Sequence, residues 1–287
     1  MVPARRWLIV ASVCAVVVVV VYFLAVRTVP GQELENAALR GADQAADPDR
    51  AAADAGLGRI TVYSLAAAVV LVALAGLLRR RVDLALAAVG VIVAGQVVTQ
   101  VLKRWLLTRP PLVPVSGHYA GNSLPSGHTT IAMTVLFAAL LVVPYRWRGV
   151  TLFFLLSWAV GIGAYTVTAK WHRLSDTLAA DAIALGLACL ASWWLARRGV
   201  VRHHDGPRRI PRVLVVTIAA LSGFTALALG AFLIGAALVK GGYAETLRDN
   251  TWVVYLAANS LASAGSIAAA LVFLATWRRW EIPRTRP

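Results

Sequence analysis

Two of the five histidines stand in settings suited to chemistry. His172 lies in WHRLSD, four residues before Asp176. A carboxylate that accepts from one imidazole nitrogen fixes the tautomer and leaves the other nitrogen free as a nucleophile. His128 lies in SLPSGHTT, at the mouth of an apolar run. There Pro125 precedes Ser126, which can cap the following helix, and Gly127 lets a ligand come close to the backbone. The amides of Gly127 and His128 would then point out of a helix N-terminus, which is an anion site. His128, in the first turn, could give a proton to a leaving oxygen. A third cluster, LKRWLLTRP, supplies Lys103, Arg104 and Arg109 before a stiff Pro110–Pro111 pair. Fixed cations of this kind, one able to bind in bidentate fashion, suit a phosphate.

Each cluster alone also has a plain structural reading: cations snorkelling at headgroups, an ordinary N-cap with a chance histidine, a capping aspartate beside an interfacial histidine. Together they make a set for phosphoryl transfer, which mostly needs positioning and charge stabilisation. There is no cluster of carboxylates for two metal ions, so neither a metal nor any other cofactor is expected in catalysis.

The elements that must position these residues are membrane helices. Hydrophobic residues make up 59% of the 287 and charged residues only 14%, against about 25% charged in a soluble domain. Apolar blocks near bilayer length predict eight spans, at about 7–26, 60–78, 84–106, 127–144, 149–169, 176–196, 213–238 and 252–277. The first follows Arg5 and Arg6 and is longer than a signal-peptide core, so it is expected to be an uncleaved helix. The net charge of +15 does not point to nucleic acid, because Arg pairs and triplets punctuate apolar blocks and form no continuous basic face. Cys14 and Cys189 fall inside apolar blocks without metal-type spacing.

Charge bias orients the spans. Arg5, Arg6, Arg79 to Arg81, Arg146, Arg148, Arg197, Arg198, Arg202, Arg208, Arg209, Arg212, Arg278, Arg279, Arg284 and Arg286 fall on one side. Glu33, Glu35, Asp43, Asp47, Asp49, Asp54, Glu245 and Asp249 fall on the other. Both termini are then cytoplasmic, in a plasma-membrane protein whose three clusters meet on the extracytoplasmic face. The outer segment 27–59, rich in Ala and Asp, is expected to form short helices on the membrane surface and no domain of its own.

The motifs resemble the type 2 phosphatidic acid phosphatase family, which also includes bacterial nonspecific acid phosphatases and vanadium haloperoxidases. The family pattern is Lys, six residues, Arg-Pro; then Pro-Ser-Gly-His; then Ser-Arg, five residues, His, three residues, Asp. Pro125, Ser126, Gly127 and His128 match the second block in full, and His172 and Asp176 match the end of the third. The resemblance covers about residues 95–195. It implies a phosphohistidine at His172, Asp176 orienting that ring, His128 as general acid, and Lys103, Arg109, Ser126 and Gly127 holding the phosphate. Two departures stand out. Only five residues separate Lys103 from Arg109, so Arg104 is a second candidate for the lysine's role. The Ser-Arg positions are Tyr165 and Thr166, so the second clamp arginine is missing there. Thr166 offers one hydrogen bond and no charge; Arg173 or Arg104 is the candidate replacement, or else phosphate affinity and rate are low.

The expectation is therefore an all-α, polytopic membrane bundle with a four-helix catalytic core. Residues 1–83 would be an N-terminal pair of spans, 84–198 the phosphatase core and 199–287 a basic loop with two further spans. The function expected is hydrolysis of a lipid phosphate or diphosphate, of the polyprenyl, phosphatidic acid or phosphatidylglycerol phosphate class, with the bilayer and its lipid as the partners. A lipid phosphotransferase using the same phosphohistidine, and a non-catalytic lipid-binding or transport protein with a degraded site, are the alternatives. Asp181, inside the sixth span, is a further candidate that could pair with Thr168 or Lys170. His118 is placed in the loop before the site, and Gln96, Thr99 and Gln100 are expected to bond between helices.

Overall fold

The computed structural model describes residues 4–115, 120–206 and 210–283. Among them are ten α-helices: α1 (Arg5–Val21), α2 (Val29–Ala42), α3 (Asp47–Gly58), α4 (Val62–Leu78), α5 (Val82–Val101), α6 (Gly127–Val142), α7 (Arg148–Thr168), α8 (Leu174–Arg197), α9 (Ile210–Arg248) and α10 (Thr251–Thr276). α1 and α5 each run on into one wider π-helical turn, Tyr22–Val26 and Leu102–Leu106. The protein is an all-α, multi-pass membrane bundle. The exception is a two-residue antiparallel pair, Arg202–His203 (β1) with Trp280–Glu281 (β2).

Six helical stretches are long and apolar enough to cross a bilayer, and the bent pair α3–α4, with 58° between its halves, makes a seventh. The eighth expected span is α6, which is apolar but has 16 residues. It rises about 24 Å, short of a hydrocarbon core of about 30 Å.

Local sequence sets the boundaries. Thr28 caps α2, accepting from Gly31 N at 3.1 Å, with Pro30 in the first turn where no amide bond is lost. Thr61 and Ser64 form a capping box on α4, at 3.2 and 2.8 Å. Inside α9, Gly242 takes φ 68°, a left-handed conformation open to glycine, and turns the last residues of the helix toward α2. Tyr243 there donates to Glu33 at 2.6 Å, and Arg40 donates to the Leu247 carbonyl at 2.8 Å.

α8 is the central helix, packed against α1, α5, α6 and α10. Aromatic rings fill the core beside it: Phe137 lies 4.9 Å from Phe273, and Trp7 lies 5.4 Å from Trp277, whose indole donates to Ser192 at 2.9 Å. Small residues bring neighbouring helices close. A Cβ at Gly95 would lie 2.7 Å from Thr134, and one at Gly223 would lie 2.8 Å from Ile267. Of the expected interhelical bonds, Thr99 pairs with Thr130 at 3.0 Å, while Gln100 is exposed. α1, α4 and α9 carry rows of exposed Val, Leu and Phe, the faces that meet lipid.

The two ends of the bundle differ chemically. At the C-terminal end of α6, arginines bind carbonyls: Arg79 reaches Val142 and Ile282, and the buried Arg148 reaches Trp280 at 2.8 Å while lying 4.8 Å over the Trp277 ring. At the opposite end, α2 lies along α10 and α3 along α7. The segment 27–59 is thus more than a surface coating. Gln32, Glu35 and Asn36 on α2 are buried along with its alanines, because α10 and the chain following α5 close over that face.

Candidate active site

At this end of the bundle the three polar clusters converge. Ser126 occupies the N-cap of α6, its hydroxyl accepting from Thr129 N at 3.3 Å. Its own amide donates to the Asp176 carbonyl at 2.9 Å, fastening the start of α6 to the first turn of α8. A Cβ built on Gly127 would meet nothing within 4 Å. Open space therefore lies beside the amides that begin α6, where an anion is favoured. His128 follows, half-buried, with its ring 5.2 Å from that of Trp171 in an edge-on contact.

His172 is carried by the short turn between α7 and α8, where Lys170 takes φ 60° and His172 N donates to the Thr166 carbonyl at 3.0 Å. Its Nδ1 lies 3.0 Å from Asp176 Oδ2. The same oxygen accepts the Arg173 amide at 2.9 Å. An oxygen already accepting there accepts from the ring too, so Nδ1 carries the proton and Nε2 is left with a free lone pair. Asp176 is thereby both the helix cap and the group that orients the histidine: the structural and the chemical readings of WHRLSD describe one contact. His128 and Lys103 lie within electrostatic reach of His172 and Asp176, respectively.

The cations separate by position. Lys103 sits in the π-helical turn, part-buried, facing Asp176, whereas Arg104 beside it is exposed. The Arg109 side chain is only 5% exposed; its Nη1 donates to Glu35 at 3.3 Å, and its Nη2 has no hydrogen-bond partner among the described residues. Arg173 donates from Nη1 to Ser123 at 2.8 Å, and its Nε lies 3.9 Å from Glu35. Thr166 is buried, with its hydroxyl donating to the Gly163 carbonyl at 2.7 Å within α7.

Two neighbours of the motifs were not singled out in the sequence. Asn122 donates to the carbonyls of Lys103, Leu107 and Leu124, at 3.3, 3.0 and 3.1 Å, and so binds the loop after α5 to the loop before α6. Glu35, from α2, is buried between Arg109, Arg173 and the Ser175 amide, which donates to it at 3.2 Å. Burial and the nearby Asp176 raise its pKa to about 7, while the Ser175 bond and the two arginines pull it down. Neither residue carries a motif signal; Gln32 and Glu35, three apart on a segment of low hydropathy, were the available hint.

Asp181 is corrected. It pairs with neither Thr168 nor Lys170 but accepts from Ser266 of α10, at 3.1 and 3.0 Å, because α8 turns it toward α10. Thr168 instead bonds Tyr255, and Lys170 pairs with Asp43. His118 lies outside the described residues. Among the described residues, no group of three or more His, Cys, Asp or Glu is placed to hold a metal ion.

A helix N-terminus with open space beside it, a histidine held by a carboxylate and a set of cations thus lie together at one end of a membrane bundle. Residues 84–200 match the family model of the PAP2 superfamily. Members of that superfamily have phosphatase-type activity on phosphate substrates, generally without a metal. No curated protein and no solved structure matches the chain. The residues from Lys103 to Asp176 all lie within the matched span, while Gln32 and Glu35 lie outside it.

Proposed function

We propose that the protein hydrolyses a lipid phosphate monoester or diphosphate through a phosphohistidine at His172, on the extracytoplasmic face. Nε2 of His172 attacks phosphorus as the bond to the leaving oxygen breaks, and His128 gives that oxygen a proton. Water then attacks the phosphohistidine, His128 takes the water's proton, phosphate leaves and His172 is restored. Asp176 keeps the proton on Nδ1 throughout. Lys103, Arg109, Arg173 and the amides at Gly127 and His128 hold the phosphate oxygens.

The observation that carries this reading is the 3.0 Å contact of His172 with Asp176, itself tied to the Ser126 amide. A lipid substrate is favoured by an apolar cleft of about 380 Å³ between α3–α4 and α6–α7, lined by Ile131, Trp158 and Tyr165. Ile131 is one helical turn beyond His128, so a hydrocarbon tail in the cleft leads its headgroup to the site. The arginine-rich opposite end supports an extracytoplasmic orientation of the site.

The test is a panel of polyprenyl phosphate, polyprenyl diphosphate, phosphatidic acid and phosphatidylglycerol phosphate, given to wild type and His172→Ala. Phosphate release from at least one lipid by wild type, abolished in the variant, is expected. Release undiminished in the variant rejects the nucleophile; label appearing on an added lipid alcohol instead of in water makes the protein a phosphotransferase.

A further inference from the structure

The chain outside the matched residues 84–200 grips the loop after α5 at two points. Tyr22 donates to the Thr108 carbonyl at 2.8 Å, and Gln32 donates to the Pro110 carbonyl at 2.8 Å. Between those two anchors lies Arg109, and Glu35 takes its Nη1. Gln32 and Glu35 are three residues apart on the buried face of α2, so one helix supplies both grips. That helix is itself fixed. A Cβ at Gly31 would lie 2.1 Å from the Leu24 carbonyl oxygen, and one at Gly41 would lie 2.0 Å from that of Thr251. At both ends α2 touches backbone that leaves room for glycine alone.

We infer that Glu35 is a positioning residue of the phosphate clamp, holding Arg109 by one edge and Arg173 from the side so that the second amine of Arg109 is presented to a phosphate oxygen. The inference rests on the reading of this site as a phosphate site. Its observations are a buried guanidinium with Nη1 engaged and Nη2 without a partner among the described residues, and a carboxylate whose two oxygens are met by Arg109, Arg173 and the Ser175 amide. A cation so held loses less freedom when it binds an anion, which is how preorganisation raises affinity. It also deals with the missing arginine at Thr166: Arg173 is drawn into the cluster by Glu35 and Ser123.

The charged groups facing Glu35 are Arg109 from the loop after α5, Arg173 from the turn before α8, and Asp176 on α8. α10 has no charged residue between Thr251 and Thr276. α9 engages its neighbours Glu33 and Arg40, and Lys170 engages Asp43. Glu35 titrates near 7, so its grip on Arg109 is present above that pH and is released below it.

The test is binding of inorganic phosphate to the full chain in detergent, followed by calorimetry, for wild type, Glu35→Gln, Glu35→Asp and Glu33→Gln. Gln keeps an oxygen for the Ser175 amide and removes only the charge. At pH 8 the Gln variant is expected to bind about tenfold more weakly than wild type. The ratio of the two affinities, in which the titration of phosphate itself cancels, is expected to shrink toward one at pH 5.5. Glu35→Asp should recover part of the loss, and Glu33→Gln should bind like wild type. A Gln variant with an unchanged melting temperature that binds phosphate as well as or better than wild type at pH 8 overturns the inference; tighter binding would make Glu35 a competitor of the substrate. If wild type releases phosphate from no lipid, yet phosphate binding depends on Glu35 as described, the hydrolase reading falls and the positioning role stands.

Discussion

The amide of Ser126 donates to the carbonyl of Asp176 across 2.9 Å. That bond joins the capping residue of one helix to the first turn of another, and with it the two motif histidines become neighbours. His128 follows the donor by two residues, and the side chain of Asp176 holds His172. Because the link is main chain to main chain, it needs no particular side chain at either position, proline at 126 excepted. Substitutions in the site therefore test chemistry with little disturbance of the frame.

Asp176→Asn is expected to lower kcat by roughly 10³–10⁴-fold, as when a histidine loses its orienting carboxylate and adopts the wrong tautomer. KM should change far less, since Asp176 is screened from the substrate by His172. Steady-state kinetics on the best lipid substrate checks this, and a kcat within tenfold of wild type would remove Asp176 from the mechanism.

Replacing His128 by Asn is expected to cost about 10²–10⁴-fold with a lipid alcohol as leaving group. With p-nitrophenyl phosphate, whose leaving group needs no proton, the loss should be much smaller. Equal losses on both substrates would reject the general-acid role.

Lys103 and Arg104 are adjacent in sequence and differ in burial, and their alanine variants should differ as well. Lys103→Ala is expected to weaken substrate binding at least tenfold, the scale of one charge-assisted bond of about 1.5–3 kcal/mol. Arg104→Ala should leave KM and kcat near wild type. The reverse result would assign the lysine's role to the exposed residue.

Gly127→Ala introduces a methyl group into open space, so the fold should tolerate it, and the melting temperature in detergent is expected not to fall. The same methyl stands where an anion would approach the amides of α6, so phosphate affinity should drop several-fold. Unchanged affinity would place the phosphate elsewhere.

Glu35 makes stability depend on pH. Its folded pKa, about 7, lies above the ordinary carboxyl value of 4.5. Its contribution to stability is therefore fully present below the unfolded value and is lost as pH rises through 7. By linkage the loss is on the order of 3 kcal/mol. Thermal unfolding at pH 5 and pH 8 should show a drop that is smaller in Glu35→Gln. An identical drop in both proteins would show that Glu35 is ionised at no unusual cost.

Much of this was legible in the sequence because membrane helices and motif chemistry leave local signals. Apolar length gave the spans, and PSGH and the His172–Asp176 spacing gave the chemical pairs. α6 was longer in expectation because apolar residues continue to Pro144, beyond the last helical turn at Val142. Glu35 was legible only as one of many acids on the outer side. Its burial depends on α2 meeting α10 and the Arg109 loop, which are pairings between distant parts of the chain with no periodic signature. Asp181 was misassigned for the same reason, since its partner Ser266 comes from another helix.

The seat of α2 against Thr251 has a bearing on biosynthesis. Residues 29–42 leave the ribosome long before residues 251–276, and until that later helix enters the membrane α2 lacks the wall that fixes it. The nascent polypeptide can thus thread most of its helices into the bilayer while its clamp is still unmade. Under the proposed function, hydrolytic competence would arrive late, with the insertion of α10.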